Sequence, residues 1–148
     1  YPDMGLWSNF GFDGSFTFSD SKQTGHDLTG EAMPFPDNSK YSVNAAIWYQ
    51  DDRFQARVAY NYRTPRLSST FGDINSDLGG IGIYQDTSQY VDVNLTYDVN
   101  DMVTIYANGS NVFGEIEEYY IEFEDGEEQF HSRNQFEPRY SVGIRARF

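Results

Sequence analysis

From Arg53 to Arg63 apolar and polar side chains alternate almost without interruption. Phe54, Ala56, Val58, Tyr60 and Tyr62 fall on one face, and Arg53, Gln55, Arg57, Asn61 and Arg63 on the other, with only Ala59 out of phase. A period of two suits a strand, whose successive side chains point to opposite faces, and it excludes an amphipathic helix. The same order recurs along the chain. Tyr41, Val43, Ala45, Ile47 and Tyr49 oppose Ser42, Asn44, Ala46 and Trp48. Val91, Val93, Leu95 and Tyr97 oppose Asp92, Asn94, Thr96 and Asp98. Tyr140, Val142, Ile144, Ala146 and Phe148 oppose Ser141, Gly143, Arg145 and Arg147. Phe12, Phe16 and Phe18 begin the series, and Val103, Ile105 and Ala107 add a further member. The pattern predicts six strands and no helix.

The connections alternate between short and long. Asp51-Asp52 and Asp98-Val99-Asn100-Asp101 have the composition of tight hairpin turns. The other three, roughly 21–39, 64–87 and 114–138, exceed the ~12–15 residues beyond which loops are uncommon and tend to be functional. Strict alternation puts all three long connections at one end of the sheet. Within the second of them Gly79-Gly80-Ile81-Gly82 reads as a flexible loop tip.

Composition removes several classes. The chain has 148 residues and a net charge of -13, which leaves no basic surface for nucleic acid. Its longest apolar run, Ala45–Tyr49, is far short of the ~20 residues of a membrane helix. Aromatic residues make up 18%, too many for a disordered acidic tail. Without cysteine there is no disulfide, thiolate metal site or cysteine nucleophile.

Two architectures alternate in this way: a soluble sandwich, and an outer-membrane barrel with strands of ~10 residues, short periplasmic turns and long outer loops. Tyrosines at both ends of the apolar face (Tyr41 and Tyr49, or Tyr60 and Tyr62 on the strand that begins at Phe54) favour the barrel, whose two interfaces are ringed by aromatics. Its lumen accepts Arg57, Asn61, Asp92, Asn94, Arg145 and Arg147.

Particular segments then resemble one family. Ser141-x-Gly143-x-x-Ala146-x-Phe148 is spaced like the terminal assembly signal of outer-membrane barrels. Leu6–Phe12 with Ser15–Ser21, Tyr41–Asn44 with Phe54–Arg63, Tyr90–Val99 and Asn108–Phe113 together resemble TonB-dependent outer-membrane receptors. The resemblance implies an all-β, antiparallel transmembrane barrel, of which residues 1–148 are the last six of 22 strands, with a plug in the lumen. It further implies placement in the outer membrane of a Gram-negative cell, with the loops outside. Implied partners are lipid, the rest of the barrel and the plug, TonB by way of an N-terminal part, and the barrel-assembly machinery. The implied activity is TonB-energised uptake of a scarce ligand: an oligosaccharide, an iron chelate or a cobalamin-like compound. Two rivals stand beside it: a self-contained eight-stranded barrel with a structural or adhesive role, and a secreted carbohydrate-binding sandwich.

No enzyme is expected. There is no G-x-S-x-G elbow, and no carboxylate pair has an apolar setting that would raise a pKa. His26 and His131 stand alone, Asn94-Leu95-Thr96 and Asn108-Gly109-Ser110 are chance sequons inside strands, and neither cofactor nor metal is implied. Glu115, Glu117, Glu118, Glu122, Glu124, Asp125, Glu127 and Glu128 form a dense acidic run without the spacing of a calcium loop. Tyr119–Phe123 with the turn Asp125-Gly126 reads as a hairpin rising above the membrane. Phe71, Tyr84, Tyr119, Tyr120, Phe123, Phe130 and Phe136 are the candidate ligand contacts, with packing between loops as their alternative role. Residues 114–138 hold nine acids against Arg133, a local charge of -8 that favours a neutral or cationic ligand over an anionic chelate.

Overall fold

The computed structural model describes residues 5–122 and 127–147. Phe123, the turn Asp125-Gly126 and the terminal Phe148 lie outside the described residues. After a 3-10 turn at Gly5–Asn9 the chain forms β1 (Phe10–Phe18), β2 (Tyr41–Gln50), β3 (Phe54–Arg63), β4 (Arg66–Phe71) and β5 (Ile81–Gln85). It continues with β6 (Ser88–Asn100), β7 (Val103–Ser110), β8 (Ile116–Glu122), β9 (Glu128–Gln135) and β10 (Arg139–Ala146). The protein is all-β, every pairing between these strands is antiparallel, and they form two sheets.

One sheet has the order β1-β2-β3-β6-β7-β10 and contains the six strands that the alternation predicts. It is open, with β1 and β10 as its edges. The other, β4-β5-β8-β9, is built inside the connections 64–87 and 114–138, which the alternation reads as long loops. Each of these hairpins continues the sheet beyond a break in the ladder. Pro65 separates β3 from β4 and Pro138 separates β9 from β10, and neither has an N–H to carry the ladder through. Among the described residues, extensive strand packing is confined to hydrogen-bonded neighbours, so neither sheet lies across the other.

Both short turns use an acid or amide side chain to hold the chain reversal. Asp51 Oδ1 accepts from the Arg53 and Phe54 amides at 2.9 and 2.7 Å. Asn100 Oδ1 accepts from Met102 and Val103, both at 2.9 Å. The second turn is tighter than the Asp98–Asp101 segment suggests, because β6 runs on to Asn100 through a register shift.

Pairing registers carry the apolar face unbroken across the open sheet. Phe12 pairs with Ile47, Ile47 with Val58, and Val58 with Val93, while Val142 and Ile144 pair with Ala107 and Ile105. Among the described residues nothing covers this face: Phe12 is 72% exposed and Val142 77%. The opposite face is polar, and glycine there admits large rings. A Cβ on Gly143 would stand 2.3 Å from the Tyr106 ring, and one on Gly11 would stand 2.2 Å from that of Trp48.

The fully buried apolar side chains lie in the cap made by the three long connections. Met33 from the first and Leu67 from β4 are 2% and 0% exposed, and both abut Gly82 of β5. The first connection is itself hairpin-like: the Gln23 amide donates to Met33 O at 2.9 Å and the Met33 amide to Gly25 O at 3.0 Å. Its tip lies against Gly79 and Gly80, with Asp27 bridged to Gly80. Gly79, Gly80 and Gly82 are therefore buried packing positions, not the flexible loop tip suggested by their composition. Gly79 also has a φ of +73°, and a Cβ there would stand 2.0 Å from the Asp27 carbonyl oxygen. Gly79→Ala is expected to push the 23–33 hairpin off the cap. Proteolysis should then cut between residues 19 and 40 at least ten times faster than in the parent, an opening cost of about 1.4 kcal/mol or more.

Candidate functional site

The break between the two sheets gathers polar side chains on the same side as the polar face. Arg63, at the end of β3, and Arg66, at the start of β4, both reach Asp37 of the first connection, at 3.3 and 3.0 Å. Arg63 also donates to the Asp37 carbonyl at 2.6 Å and to Ser39 Oγ at 3.2 Å, and Arg66 donates to Ser88 Oγ at 3.3 Å. Asp37 has a φ of 58°, an uncommon backbone state that aspartate tolerates better than most residues. Its bonds tie the first connection to the β3–β4 junction.

Asn111 plays the matching part between β7 and β8. It is buried, with a φ of 51°. Its amide donates to Asp92 Oδ1 at 2.9 Å, its side-chain NH2 to the Phe136 carbonyl at 3.0 Å, and its Oδ1 accepts from the Glu115 amide at 2.8 Å. One side chain thus fixes both ends of the β8–β9 hairpin. Nothing in the alternation singles out Asn111; only a left-handed residue after a strand, followed by Gly114, hints at such a junction.

Below that hairpin lies a pocket of about 630 Å³, lined among others by Tyr90, Asn111, Glu117, Phe136, Pro138 and Arg139. Glu117 accepts hydrogen bonds from the hydroxyls of Tyr90 and, at 3.0 Å, Tyr119. Glu118, its neighbour, faces Arg133 at 3.4 Å across the β8–β9 pair.

The candidate contacts divide. Tyr84 and Tyr120 stack on each other with centroids 5.6 Å apart and planes 17° apart, so these two rings pack the cap. Tyr119 points to the other face of β8 and supports Glu117. Phe71 and Phe130 are largely exposed, and Phe136 reaches the pocket. Of the terminal signal, Ser141 accepts from Asn108 at 3.4 Å, Gly143 lies under Tyr106, and Ala146 pairs with Val103. The β8–β9 hairpin exists as its sequence suggests. Among the described residues, no group of three or more His, Asp and Glu side chains comes together as a metal site.

Charge inside the cap is unevenly held. Burial, then the nearby Glu128 and Asp27 charges, push the Glu122 carboxyl above its usual 4.5. Burial, followed by surrounding carboxylates, raises the hydroxyls of Tyr84 and Tyr120 to about 12. Asp27 goes the other way. Burial is its largest single influence and acts upward, but bonds from the Thr29 side chain and from the Glu31, Thr29 and Gly30 backbone together leave it below 3.8. The signs set a stability window. Ionising Glu122 weakens the cap, so its contribution grows as pH falls through its raised pKa; the contribution of Asp27 is lost only as pH falls through its depressed one. The cap is expected to melt at a higher temperature near pH 4 than at pH 7, followed by the near-ultraviolet dichroism of the stacked tyrosines. Glu122→Gln should flatten that difference.

No protein-family model, curated protein or solved structure matches this chain.

Proposed function

We propose that the chain is the C-terminal part of the barrel wall of a TonB-dependent outer-membrane receptor, with the cap outside the cell and the short turns in the periplasm. The observation that carries this reading is the spacing of rings on the uncovered face. Phe10 and Phe18, Tyr41 and Tyr49, and Phe54 and Tyr62 are each eight residues apart, near opposite ends of their strands. That is ~26 Å along a strand at ~3.3 Å per residue. A strand tilted by ~40° covers ~20 Å of membrane, close to the ~25 Å apolar band between the aromatic girdles of such barrels.

Register supports it further. Phe10 pairs with Tyr49 and Phe18 with Tyr41. On the next strand both lines step two residues toward the turns: Tyr62 pairs with Val43, and Phe54 precedes Ala56, the partner of Tyr49. Between β1 and β2 the two lines run along the hydrogen-bond rows, and between β2 and β3 they are inclined together, the sense that tilted strands need in order to keep their rings at two depths. The family assignment within outer-membrane barrels rests on the segments that resemble TonB-dependent receptors, and implies uptake of a ligand caught by the cap.

The rivals find less support. A sandwich would cover the apolar face with its second sheet, whereas the four-stranded sheet lies beyond the end of the first. A closed eight-stranded barrel needs two more wall strands, and β8 and β9 pair into the cap instead. The intact protein, expressed in a Gram-negative host, should stay with outer membranes through an alkaline carbonate wash, require detergent for release, and be several times heavier than these 148 residues. Release without detergent would refute the barrel; an intact native mass no larger than this chain's would refute the receptor.

A further inference from the structure

The geometry points to the pocket beneath the β8–β9 hairpin as a binding site for a small organic cation, an ammonium carried on an apolar or aromatic body. The inference rests on the receptor reading, which opens this pocket to the outside solution, and names a ligand class for it. At about 630 Å³ the pocket falls within the ~300–1,000 Å³ of ordinary small-ligand sites. The charged groups in its wall are Glu117, Glu137 and Arg139. Glu137 and Arg139 are exposed, stand on either side of Pro138 and offset each other. Glu117 differs from both. It is half-buried, its two carboxylate oxygens accept one each from the Tyr90 and Tyr119 hydroxyls, and it forms no ion pair among the described residues. Burial, then the bond to Glu117, holds the Tyr119 hydroxyl above its usual 10, so it stays a neutral donor. Arg66, the other cation within electrostatic reach of the two tyrosines, is already paired with Asp37 at 3.0 Å. The Glu117 carboxylate is thus fixed in direction and keeps its charge.

Sign, coordination and lining all select this class. The pocket wall carries two acids against one base. The connections 21–39, 64–87 and 114–138, which make the cap, hold fifteen acids against three bases, so -12 of the net charge of -13 lies there and not in the six-stranded sheet. A field of that sign gathers cations and repels anions. A divalent metal ion fits poorly: calcium takes about six to eight oxygen ligands, and among the described residues no three His, Asp or Glu side chains come together. An ammonium needs far fewer acceptors, and its bond to a carboxylate is charge-assisted. The remaining wall suits an organic body. Phe136 and Pro138 offer apolar contact, and the rings of Tyr90 and Phe136 attract an ammonium that comes within ~6 Å of their faces. The Asn111 bond to the Phe136 carbonyl holds that wall in place before any ligand arrives.

The test is calorimetric titration of the intact protein, in non-ionic detergent at low salt, with benzylammonium, the neutral benzyl alcohol and the anion phenylacetate, heats with detergent alone subtracted. Benzylammonium is expected to bind at least tenfold more tightly than either of the others, and to weaken as salt is raised. Glu117→Gln should lower its affinity at least tenfold and leave that of benzyl alcohol unchanged. Glu137→Gln should cost less than threefold, and Arg139→Gln should tighten binding. No binding of benzylammonium, or equal affinity for the three compounds, overturns the assignment even if the variants misfold. Equal losses in Glu117→Gln and Glu137→Gln would trace binding to the general field of the cap and also overturn it, as would weaker binding in Arg139→Gln. A protein that needs detergent for extraction and ignores benzylammonium fails this inference alone, whereas one released without detergent fails the receptor reading beneath it.

Discussion

Arginine in place of Val58 is expected to keep the six-stranded sheet out of the outer membrane, while arginine in place of Asn108 leaves insertion nearly unchanged. Val58 lies mid-strand on the uncovered apolar face, between Ile47 and Val93. Asn108 lies at a comparable height on the polar face, between Asn94 and Ser141. On the lipid side near the bilayer midplane a cation costs ~2–4 kcal/mol, whereas a lumen position stays hydrated. The contrast is read from the fraction of each variant that migrates as a heat-modifiable species in outer membranes. Equal insertion of the two variants would mean that the face assigned to lipid is not in lipid.

Leu67→Ala should collapse the cap and spare the wall. Leu67 is 0% exposed, and its Cδ1 lies 3.1 Å from where a Cβ on Gly82 would stand, with the Met33 methyl at 2.9 Å from the same point. Leucine-to-alanine changes at such sites cost ~2–5 kcal/mol. Few other apolar side chains are buried in the cap, so a loss of that size removes most of what holds its three connections together. External protease should then cleave within residues 19–40 and 64–87, and the dichroism of the Tyr84–Tyr120 pair should vanish. Heat-modifiability should persist, because Pro65 and Pro138 already separate the cap's ladders from those of the wall.

The six-stranded sheet was legible because its alternation is strong: ten of the eleven positions from Arg53 to Arg63 are in phase. The cap was not. β8 contains Glu117, Glu118 and Glu122, poor strand formers, and the bulges between Leu67 and Ser69 and between Tyr119 and Tyr120 shift the register within short strands. The glycines at 79, 80 and 82 looked like punctuation and proved to be places where chains touch. Among the site residues, Tyr84, Tyr119 and Tyr120 were picked out by type, but type could not separate a stacked pair from a ring that steadies Glu117. Arg139 and Asn111 were missed, since their importance lies in which distant segments meet at a break in the ladder.

The open edges at β1 and β10 carry an energetic consequence. An edge strand turns roughly half of its N–H and C=O groups away from its only neighbour. In water those groups are solvated at little cost, but in hydrocarbon each costs several kcal/mol. Over a nine-residue and an eight-residue edge the total far exceeds the ~5–15 kcal/mol that separates folded from unfolded states in an ordinary domain. Within a bilayer these six strands thus have no stability of their own to measure. On the proposed barrel reading, partial occupancy is disfavoured and the transition from uninserted to inserted is all-or-none, with a melting temperature that would belong to the closed ring and not to any segment of it.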